Sequence, residues 1–378
     1  MHTVSHPSPT RSEVAMNTSL SETDGAAALA ACAKLDAWVG PRRIYPISFC
    51  IPDHLVVAAP PVKDQDFAGG MSQGKKAYRF KAHQQVEYYR DYQRSFFGLT
   101  YKKSGWDCMR HLEVLANGCA PWFPGIEELP ALTMTHYPRK LIASAMALGP
   151  NVRMSGNALA RRDEASAVVS DRAAYQSIVA KMIDHVRTHL TTRAMAGYLL
   201  ACMGKPQAKS VLYLSGGIKP DYQCDLLFHG LRELLGAGCV DAEKIWWMYQ
   251  SATAARRARL YGYGFTYSGH LPEIEVDRHQ VAEKIRKRAY DLIVFGSIKR
   301  CWKLLPLVRK HYAREEIALI DGEDACRVVG SIKPMRPKAG LFRRPPFPLI
   351  QIAHQGVYFK RELDDALVIT FDANTPAS

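Results

Sequence analysis

The stretch that decides the fold reads SGWDCMRHLEVLANGCAPWFPGIEELP, from Ser104 to Pro130. It predicts a helix from about Asp107 to Asn117, ended by Gly118, because glycine is the residue that most often stops a helix. The apolar run Ala120–Phe123 follows at once and predicts a strand. A helix that leads directly into a buried strand is typical of an α/β domain.

The residues before this stretch continue the same alternation. Ile44–Ile51 (IYPISFCI) is β-branched and aromatic and predicts a buried strand. A helix rich in Tyr and Arg is predicted over Ala82–Phe96, and a short strand over Phe97–Tyr101. Residues 41–150 are therefore predicted to form one α/β half, and residues 1–40 a disordered tail with a short Ala-rich helix.

A linker and a second α/β unit are predicted after the first half. The linker, 151–207, contains an amphipathic helix from Asp171, its predicted N-cap, to Met203. Residues 208–330 then alternate the strands VLYL, DLIVF and IALI with helices, which predicts a parallel sheet covered on both faces. Residues 331–378 are predicted to be a Pro-rich loop and a terminal segment that includes Gly356–Leu363.

The bulk composition fits two globular domains. The chain has 378 residues, 47% of them hydrophobic, and no apolar run approaches the roughly 18–20 residues that a membrane-spanning helix needs. No signal-peptide pattern is present, so we expect a cytoplasmic protein. The nine cysteines form no C-x-x-C pair and are expected to be reduced thiols. A net charge of +14 indicates either an anionic partner or a generally basic surface.

The quoted stretch also carries a motif. An acid on the helix is followed by Ala-x-Gly and an apolar strand, with Glu113, Ala116 and Gly118 at these positions. This order resembles the donor-binding segment of the group 1 glycosyltransferases, in which Gly125 and Glu128 would match a Gly-rich loop and a second acid. The resemblance implies a GT-B-like fold, in which two Rossmann-like domains face each other across a cleft, here with the donor-binding half first.

The resemblance implies a nucleotide-sugar donor as co-substrate and no other cofactor. A carboxylate at Glu113 can accept both ribose hydroxyls, and small residues such as Gly118 let the backbone approach a ligand closely. The diphosphate would lie at a helix N-terminus flanked by cations, which needs no metal ion. The residues expected there are Trp106, Asp107, Arg110, Lys102 and Lys103.

The second unit would then be the acceptor side. Its first strand leads into a loop containing Gly216 and Gly217, and Asp221, Asp225 and His229 follow as candidates for a catalytic base. Asp225 is equally well interpreted as a helix cap, and the acidic cluster Asp321–Asp324 as either a base or a turn.

Two matters stay open. Many retaining members carry an acid eight positions before the Glu, and Gly105 stands there in this chain, so the stereochemistry at the sugar is undecided. The acceptor can be a saccharide, a lipid-linked sugar, a protein or modified DNA.

Domain order is unusual, since GT-B enzymes normally place the acceptor domain first. A circular permutation would account for it and predicts that Gly356–Leu363 lies beside Ile44–Ile51. Two other function classes have features of the sequence that bear on them. A dinucleotide-dependent oxidoreductase is disfavoured because neither the loop at Gly216-Gly217 nor Gly262-x-Gly264 reads G-x-G-x-x-G after an apolar strand. A nucleic-acid-binding protein, or a glycosyltransferase acting on DNA bases, is suggested by basic stretches such as Arg256–Arg259.

Overall fold

The structure is a computed structural model that describes residues 44–68, 80–155, 158–162, 168–217, 219–326, 353–364 and 367. The predicted tail at 1–40 and most of the Pro-rich segment at 331–378 lie outside the described residues. The described part is a mixed α/β structure with two parallel sheets and one antiparallel two-stranded sheet.

The strands in chain order are β1 Ile44–Pro46, β2 Gln65–Phe67, β3 Ser95–Leu99, β4 Ala120–Trp122, β5 Val152–Ser155, β6 Ala158–Arg162, β7 Val211–Leu214, β8 Cys239–Asp241, β9 Leu292–Phe295, β10 Ile317–Asp321 and β11 Val357–Lys360. The helices are α1 Gln85–Arg94, α2 Met109–Ala116, α3 Arg139–Ala147, α4 Arg172–His185, α5 Thr192–Cys202, α6 Tyr222–Leu235, α7 Ala254–Arg257, α8 Val281–Arg286 and α9 Leu305–His311.

The large sheet has the order β1-β11-β10-β9-β7-β8, and all its strand pairs are parallel. Strands β7 and β9 are entirely apolar apart from Tyr213, and both are fully buried, as a sheet covered on both faces requires. The chain passes from β7 to β8 on one side and then crosses to β9 on the other. This reversal is a topological switch point at the carboxyl ends of β7 and β9, where ligands of such sheets usually bind.

The small sheet is formed by β2, β3 and β4, again in parallel. Helix α2 connects β3 to β4 and ends at Gly118, which has a φ of +62°. The helix and strand predicted from the opening stretch are therefore confirmed. The signal was local: the left-handed backbone at the end of α2 is strained for any residue with a Cβ, so glycine marks the end of the helix.

Strand β1 belongs to the large sheet, and not to the half at 41–150 in which the sequence pattern placed it. Ile44 pairs with Tyr358 and Pro46 with Lys360 of β11. The predicted proximity of Ile44–Ile51 and Gly356–Leu363 is thereby confirmed. The sheet to which a strand belongs depends on its distant partner, and a buried apolar strand fits either sheet.

The long helix predicted over Asp171–Met203 is broken into α4, a π-helical turn at Val186–Leu190 and α5. The predicted N-cap is confirmed, since the Asp171 carboxylate accepts the Ala174 N–H at 2.9 Å. The break occurs because Thr191 adopts an extended backbone and its hydroxyl caps α5 by accepting the Ala194 N–H at 3.1 Å.

The two helices link the two sheets. On α4 the tyrosine hydroxyl of Tyr175 donates to the Phe96 carbonyl of the small sheet. On α5 the hydroxyl of Tyr198 donates to the Pro46 carbonyl of the large sheet at 2.9 Å. The predicted stripe Tyr175, Ile178, Met182 and Val186 is buried except for Ile178, which is half-buried. The linker therefore connects the halves through packed side chains.

Helices α5 and α6 cross at very short range. A Cβ added at Gly230 of α6 would lie 1.8 Å from the Thr192 carbonyl oxygen. Only glycine permits this approach, which fixes α6 against the linker.

Seven of the described cysteines are free thiols, whereas Cys202 is disulfide-bonded, contrary to the expectation of reduced thiols throughout. Among the described residues, no helix is long and apolar enough to cross a membrane.

Candidate functional site

Glu113 lies where the small sheet meets the loops of the large sheet. It is on α2, is 8% exposed, and both its carboxylate oxygens accept a hydroxyl. Oε2 accepts from Tyr88 of α1 at 2.5 Å, and Oε1 accepts from Thr266, in the segment between β8 and β9, at 2.5 Å. Burial raises the pKa of the carboxyl, while Thr266 and Tyr88 lower it. The carboxylate is therefore largely shielded from water and accepts hydrogen bonds from two hydroxyl groups.

Two cations accompany this carboxylate. Arg110 is three positions before Glu113 on α2, which places both on one face of the helix. Lys103 lies in the loop after β3, and its pKa is lowered by burial and then by the charge of Arg110. Within the described residues neither side chain forms an ion pair or a side-chain hydrogen bond. Both cations act electrostatically on Glu113, yet neither is in ion-pair contact with it, so their charges are available to bind an anion.

Lys102, the third predicted cation, has a different contact. Its ammonium lies 4.5 Å from the ring centroid of Trp106, in a cation–π arrangement. Lys102 is exposed and Trp106 is buried.

The backbone N–H groups predicted to hold a diphosphate are already occupied. Glu362, just after β11, accepts the Trp106 N–H and the Asp107 N–H, each at 3.0 Å. A Cβ at Gly105 would lie 2.5 Å from Glu362 Oε1, so this glycine makes room for the carboxylate. The donors near Trp106 and Asp107 therefore bind a protein carboxylate and are not open to a phosphate.

The Asp107 side chain adds a second contact between the loop before α2 and the large sheet. Its Oδ2 accepts the Phe49 N–H at 2.7 Å. Burial raises the pKa of Asp107 to about 6, and the Arg361 guanidinium opposes that rise. Arg361 donates to the Asp107 carbonyl at 2.8 Å. Asp107 therefore anchors the extended segment after β1.

The predicted glycines and the second acid of the motif lie at the end of α2 and in the turn after β4. A Cβ at Gly118 would lie 2.5 Å from Pro61, so the close approach at this position is to protein and not to an open surface. Gly125 has a φ of +77° and begins a short turn that includes Glu128. Glu128 is exposed and, of the described residues, none is shown bonded to its carboxylate.

The three candidate bases do not form one constellation. Asp221, half-buried, caps α6 by accepting the Cys224 N–H at 3.3 Å and pairs with Arg300 at 3.3 Å. Asp225 is 1% exposed and accepts from the Asp221 N–H at 3.0 Å and from Trp247 Nε1 at 2.8 Å. The helix cap is thus Asp221, and not Asp225 as one interpretation of the sequence had it.

His229 lies one turn further along α6 and faces α5. Its Nδ1 is 2.9 Å from Thr192 Oγ1 and 3.4 Å from Glu233. It is 1% exposed, so it belongs to the helix contact and not to an accessible surface.

The acidic cluster after β10 is used internally. Asp321 accepts the Tyr358 hydroxyl at 2.6 Å and pairs with the buried Lys360 at 3.2 Å. Asp324 pairs with Arg361. These contacts favour the turn interpretation of the cluster over that of a base.

The predicted glycine loop lies at the topological switch point. Gly216 and Gly217 have φ values of +76° and +52°. A Cβ at Gly216 would lie 3.2 Å from the carbonyl oxygen of Arg300, in the loop after β9. The loops that follow β7 and β9 therefore meet, with the Arg300–Asp221 pair beside them.

The segment Tyr261–Gly269 (YGYGFTYSG) supplies Thr266, and its sequence was interpreted only as a candidate dinucleotide loop, with no place predicted for it beside Glu113. Five of its residues have a positive φ: Gly262, Tyr263, Gly264, Thr266 and Gly269. Tyr89 of α1 is 2.8 Å from Thr266 through their hydroxyls, and the rings of Tyr88 and Phe265 are 5.8 Å apart. The alternation of Gly with Tyr was the available signal, but nothing local identifies its partner.

In the described part of the chain, no group of three or more His, Cys, Asp or Glu side chains is arranged to hold a metal ion. Comparisons of the chain with protein-family models, with curated proteins and with solved structures returned no match.

Proposed function

We propose that this chain is a nucleotide-sugar-dependent glycosyltransferase of the GT-B type, with its donor-binding half first. The observation that supports it most is the group formed by Glu113, Arg110 and Lys103. A buried carboxylate that accepts two hydroxyls lies on the same helix face as a cation, with a second cation nearby, and neither cation forms an ion pair or a side-chain hydrogen bond among the described residues.

Each member has a role in binding a nucleoside diphosphate sugar. Glu113 accepts the ribose hydroxyls, because a carboxylate offers about four acceptor positions. Arg110 and Lys103 bind the diphosphate and stabilise the negative charge that develops on it as the sugar leaves. The N–H groups of Trp106 and Asp107 are left out of this proposal, since Glu362 holds them.

The acceptor side is assigned to the switch point of the large sheet. The loops at Gly216 and Arg300 meet there, and ligands of doubly wound sheets bind outside the carboxyl ends of the strands. Of the three candidate bases, Asp221 alone is more than slightly exposed, so it is the one that an acceptor hydroxyl can reach without a rearrangement. The pairing of β1 with β11 supports the permuted order.

The experiment is a binding screen with UDP, GDP, ADP and TDP, read by thermal stabilisation and then by calorimetry. We expect at least one of them to stabilise the wild type, because a ligand that binds only the folded state raises its stability by RT ln(1 + [L]/Kd). In Glu113→Gln the affinity should fall at least tenfold, which corresponds to about 1.4 kcal/mol.

The matched control is Glu127→Gln, an exposed acid in the same segment, which should bind as the wild type does. If none of the four nucleotides binds, or if Glu113→Gln binds normally, the donor site is not where we place it.

A DNA acceptor has one observation in its favour. Arg256 stacks on the Trp246 ring at 3.8 Å, and neither Arg256 nor the exposed Arg259 pairs with a carboxylate among the described residues. Cations beside aromatic rings are typical of surfaces that bind nucleic acid strands. DNA binding that weakens steeply with salt would favour this acceptor over a saccharide.

A further inference from the structure

Glu113 is not vacant. Its two oxygens accept hydrogen bonds from the hydroxyls of Tyr88 and Thr266, each at 2.5 Å. These protein hydroxyls occupy the positions that ribose hydroxyls would take in a complex with the donor. The two residues reach Glu113 from different parts of the fold. Tyr88 is a core residue of the small sheet's own helix layer, in ring contact with Tyr92 at 5.1 Å. Thr266 reaches Glu113 from a loop of the other half.

The loop that carries Thr266 is conformationally strained. Thr266 has a φ of +71° and Tyr263 a φ of +59°. A positive φ is uncommon for any residue with a Cβ and is a genuine outlier for a β-branched one such as threonine. Such backbone persists only where surrounding contacts hold it, and it is found at ligand clamps and switch regions.

Buried residues hold the loop against the small half: Thr266 is fully buried, and Phe265 packs into the apolar cluster of Tyr88 and Tyr92. The Thr266 hydroxyl meets Glu113 and the Tyr89 hydroxyl, and Phe265 lies against Tyr88. On the other side of the loop, His270 contacts the Thr266 carbonyl at 3.0 Å and His54 at 3.0 Å. The hydroxyl contact at Glu113 is therefore the one that a bound ligand would take over.

We propose that the segment Tyr261–Gly269 is a displaceable latch on the donor site. A ligand hydroxyl takes the position of the Thr266 hydroxyl on Glu113, and the strained backbone at Thr266 relaxes away from the carboxylate, while Tyr88 stays in place. Thr266 thus lowers the affinity of the empty site for the donor and sets which ligands can enter, because only a ligand with a hydroxyl donor satisfies the carboxylate that the latch exposes. This inference rests on the proposed donor site at Glu113.

The test measures the affinities of UDP, GDP, ADP and TDP for Thr266→Val, which removes the hydroxyl and keeps the branched shape. A latch that competes with the ligand predicts tighter binding, by about tenfold for the loss of one hydrogen bond to a charged group. Thr266→Ser keeps the hydroxyl and should fall closer to the wild type. Thr188→Val, at an exposed threonine, controls for the loss of a hydroxyl elsewhere.

A second variant covers the case in which Thr266→Val fails to fold. Tyr89→Phe removes one hydrogen bond from the latch and leaves Glu113 untouched, and it should tighten binding several-fold. Hydrogen exchange gives an independent readout: adding nucleotide should accelerate exchange of residues 261–269 while it slows exchange of α1 and α2. Ligand binding without a latch would slow all three.

The outcomes separate the two proposals. If none of the four nucleotides binds to any variant, the donor site and the latch both fall. If nucleotide binds and Thr266→Val binds equally or more weakly, Thr266 is a fixed part of the site and the latch alone is overturned. Tighter binding by Thr266→Val, with faster exchange of the loop on adding nucleotide, supports the latch.

Discussion

The carboxylate of Glu362 accepts the backbone N–H of Trp106 at 3.0 Å, across 256 positions of the sequence. Its other oxygen accepts the N–H of Asp107, and Arg361 donates to the same carboxylate at 3.0 Å. This joint fixes the segment after β11 to the loop that precedes α2. It ties the large sheet to the element that carries Glu113.

The joint predicts a stability effect at Glu362. In Glu362→Gln one acceptor oxygen is lost, which leaves a buried N–H unsatisfied and Arg361 with less compensating charge. We expect the free energy of unfolding to fall by about 2–4 kcal/mol. Urea unfolding of this variant beside Glu275→Gln, an exposed acid, gives the comparison. Equal unfolding midpoints for the two variants would contradict the role of the joint.

Acid sensitivity is predicted at His111, which is fully buried between Thr100 and the Trp106 carbonyl. Burial lowers the pKa of His111 to about 3, below the ordinary value of 6.5. The unfolded state therefore binds more protons as the pH falls below 6.5, so stability present above pH 6.5 is lost progressively toward pH 3. The loss from this group is of the order of 3–5 kcal/mol.

The measurement is the free energy of unfolding between pH 7 and 4.5. His111→Gln should be less stable at pH 7 but lose less on acidification, whereas His279→Gln, at an exposed position, should follow the wild type. Asp107, whose pKa burial raises to about 6, acts in the opposite direction between about pH 4 and 6. A wild-type slope unchanged in His111→Gln would remove this histidine as a cause.

Gly230→Ala tests the close crossing of α5 and α6. Alanine favours a helix by about 1 kcal/mol over glycine. Its Cβ would however lie 1.8 Å from the Thr192 carbonyl oxygen, so the helices must separate. We expect a net destabilisation of about 1–3 kcal/mol, measured by thermal or urea unfolding. Ser177→Ala, on the exposed face of α4, isolates the propensity effect, and a stabilised Gly230→Ala would show that the crossing can relax.

Metal independence is predicted for the transfer reaction. Arg110 and Lys103 are the groups we assign to the charge on the departing diphosphate, as preorganised cations. Sugar release from the active donor should proceed equally in EDTA and in magnesium. Arg110→Gln should lower turnover at least tenfold in both conditions, whereas Arg314→Gln, in the short turn before β10, serves as the control. A strict requirement for a divalent ion would place the phosphate elsewhere.

Local features of the sequence predicted local structure well. Gly118 ends α2 and Asp171 caps α4 because each acts on neighbours within a few residues. The break of the helix at Thr191 was not predicted, because the helical spacing of apolar residues continues on both sides of it. The only local signal was one hydroxyl, which caps α5. The helix that begins near Asp225 was found, but its cap is four positions earlier, at Asp221.

Long-range contacts could not be predicted from one sequence. The motif identified Glu113 as a candidate, but its partner Thr266 is 153 positions away and has no pattern that pairs it with an acid. The same holds for Glu362, which occupies the N–H groups expected to bind phosphate. The prediction of the sheet to which β1 belongs was wrong for the same reason, because its neighbour β11 is more than three hundred positions distant.

The pairing of β1 with β11 also constrains how the protein is made. Strand β1 leaves the ribosome more than three hundred residues before its partner β11. At about 5–20 residues per second, this wait is roughly 15–60 s. During synthesis the apolar residues Ile44 and Ile47 have no sheet to join, so the nascent chain exposes a segment that a chaperone or a neighbouring polysome can capture. The large sheet can therefore be completed at β1 only after β11 has been translated.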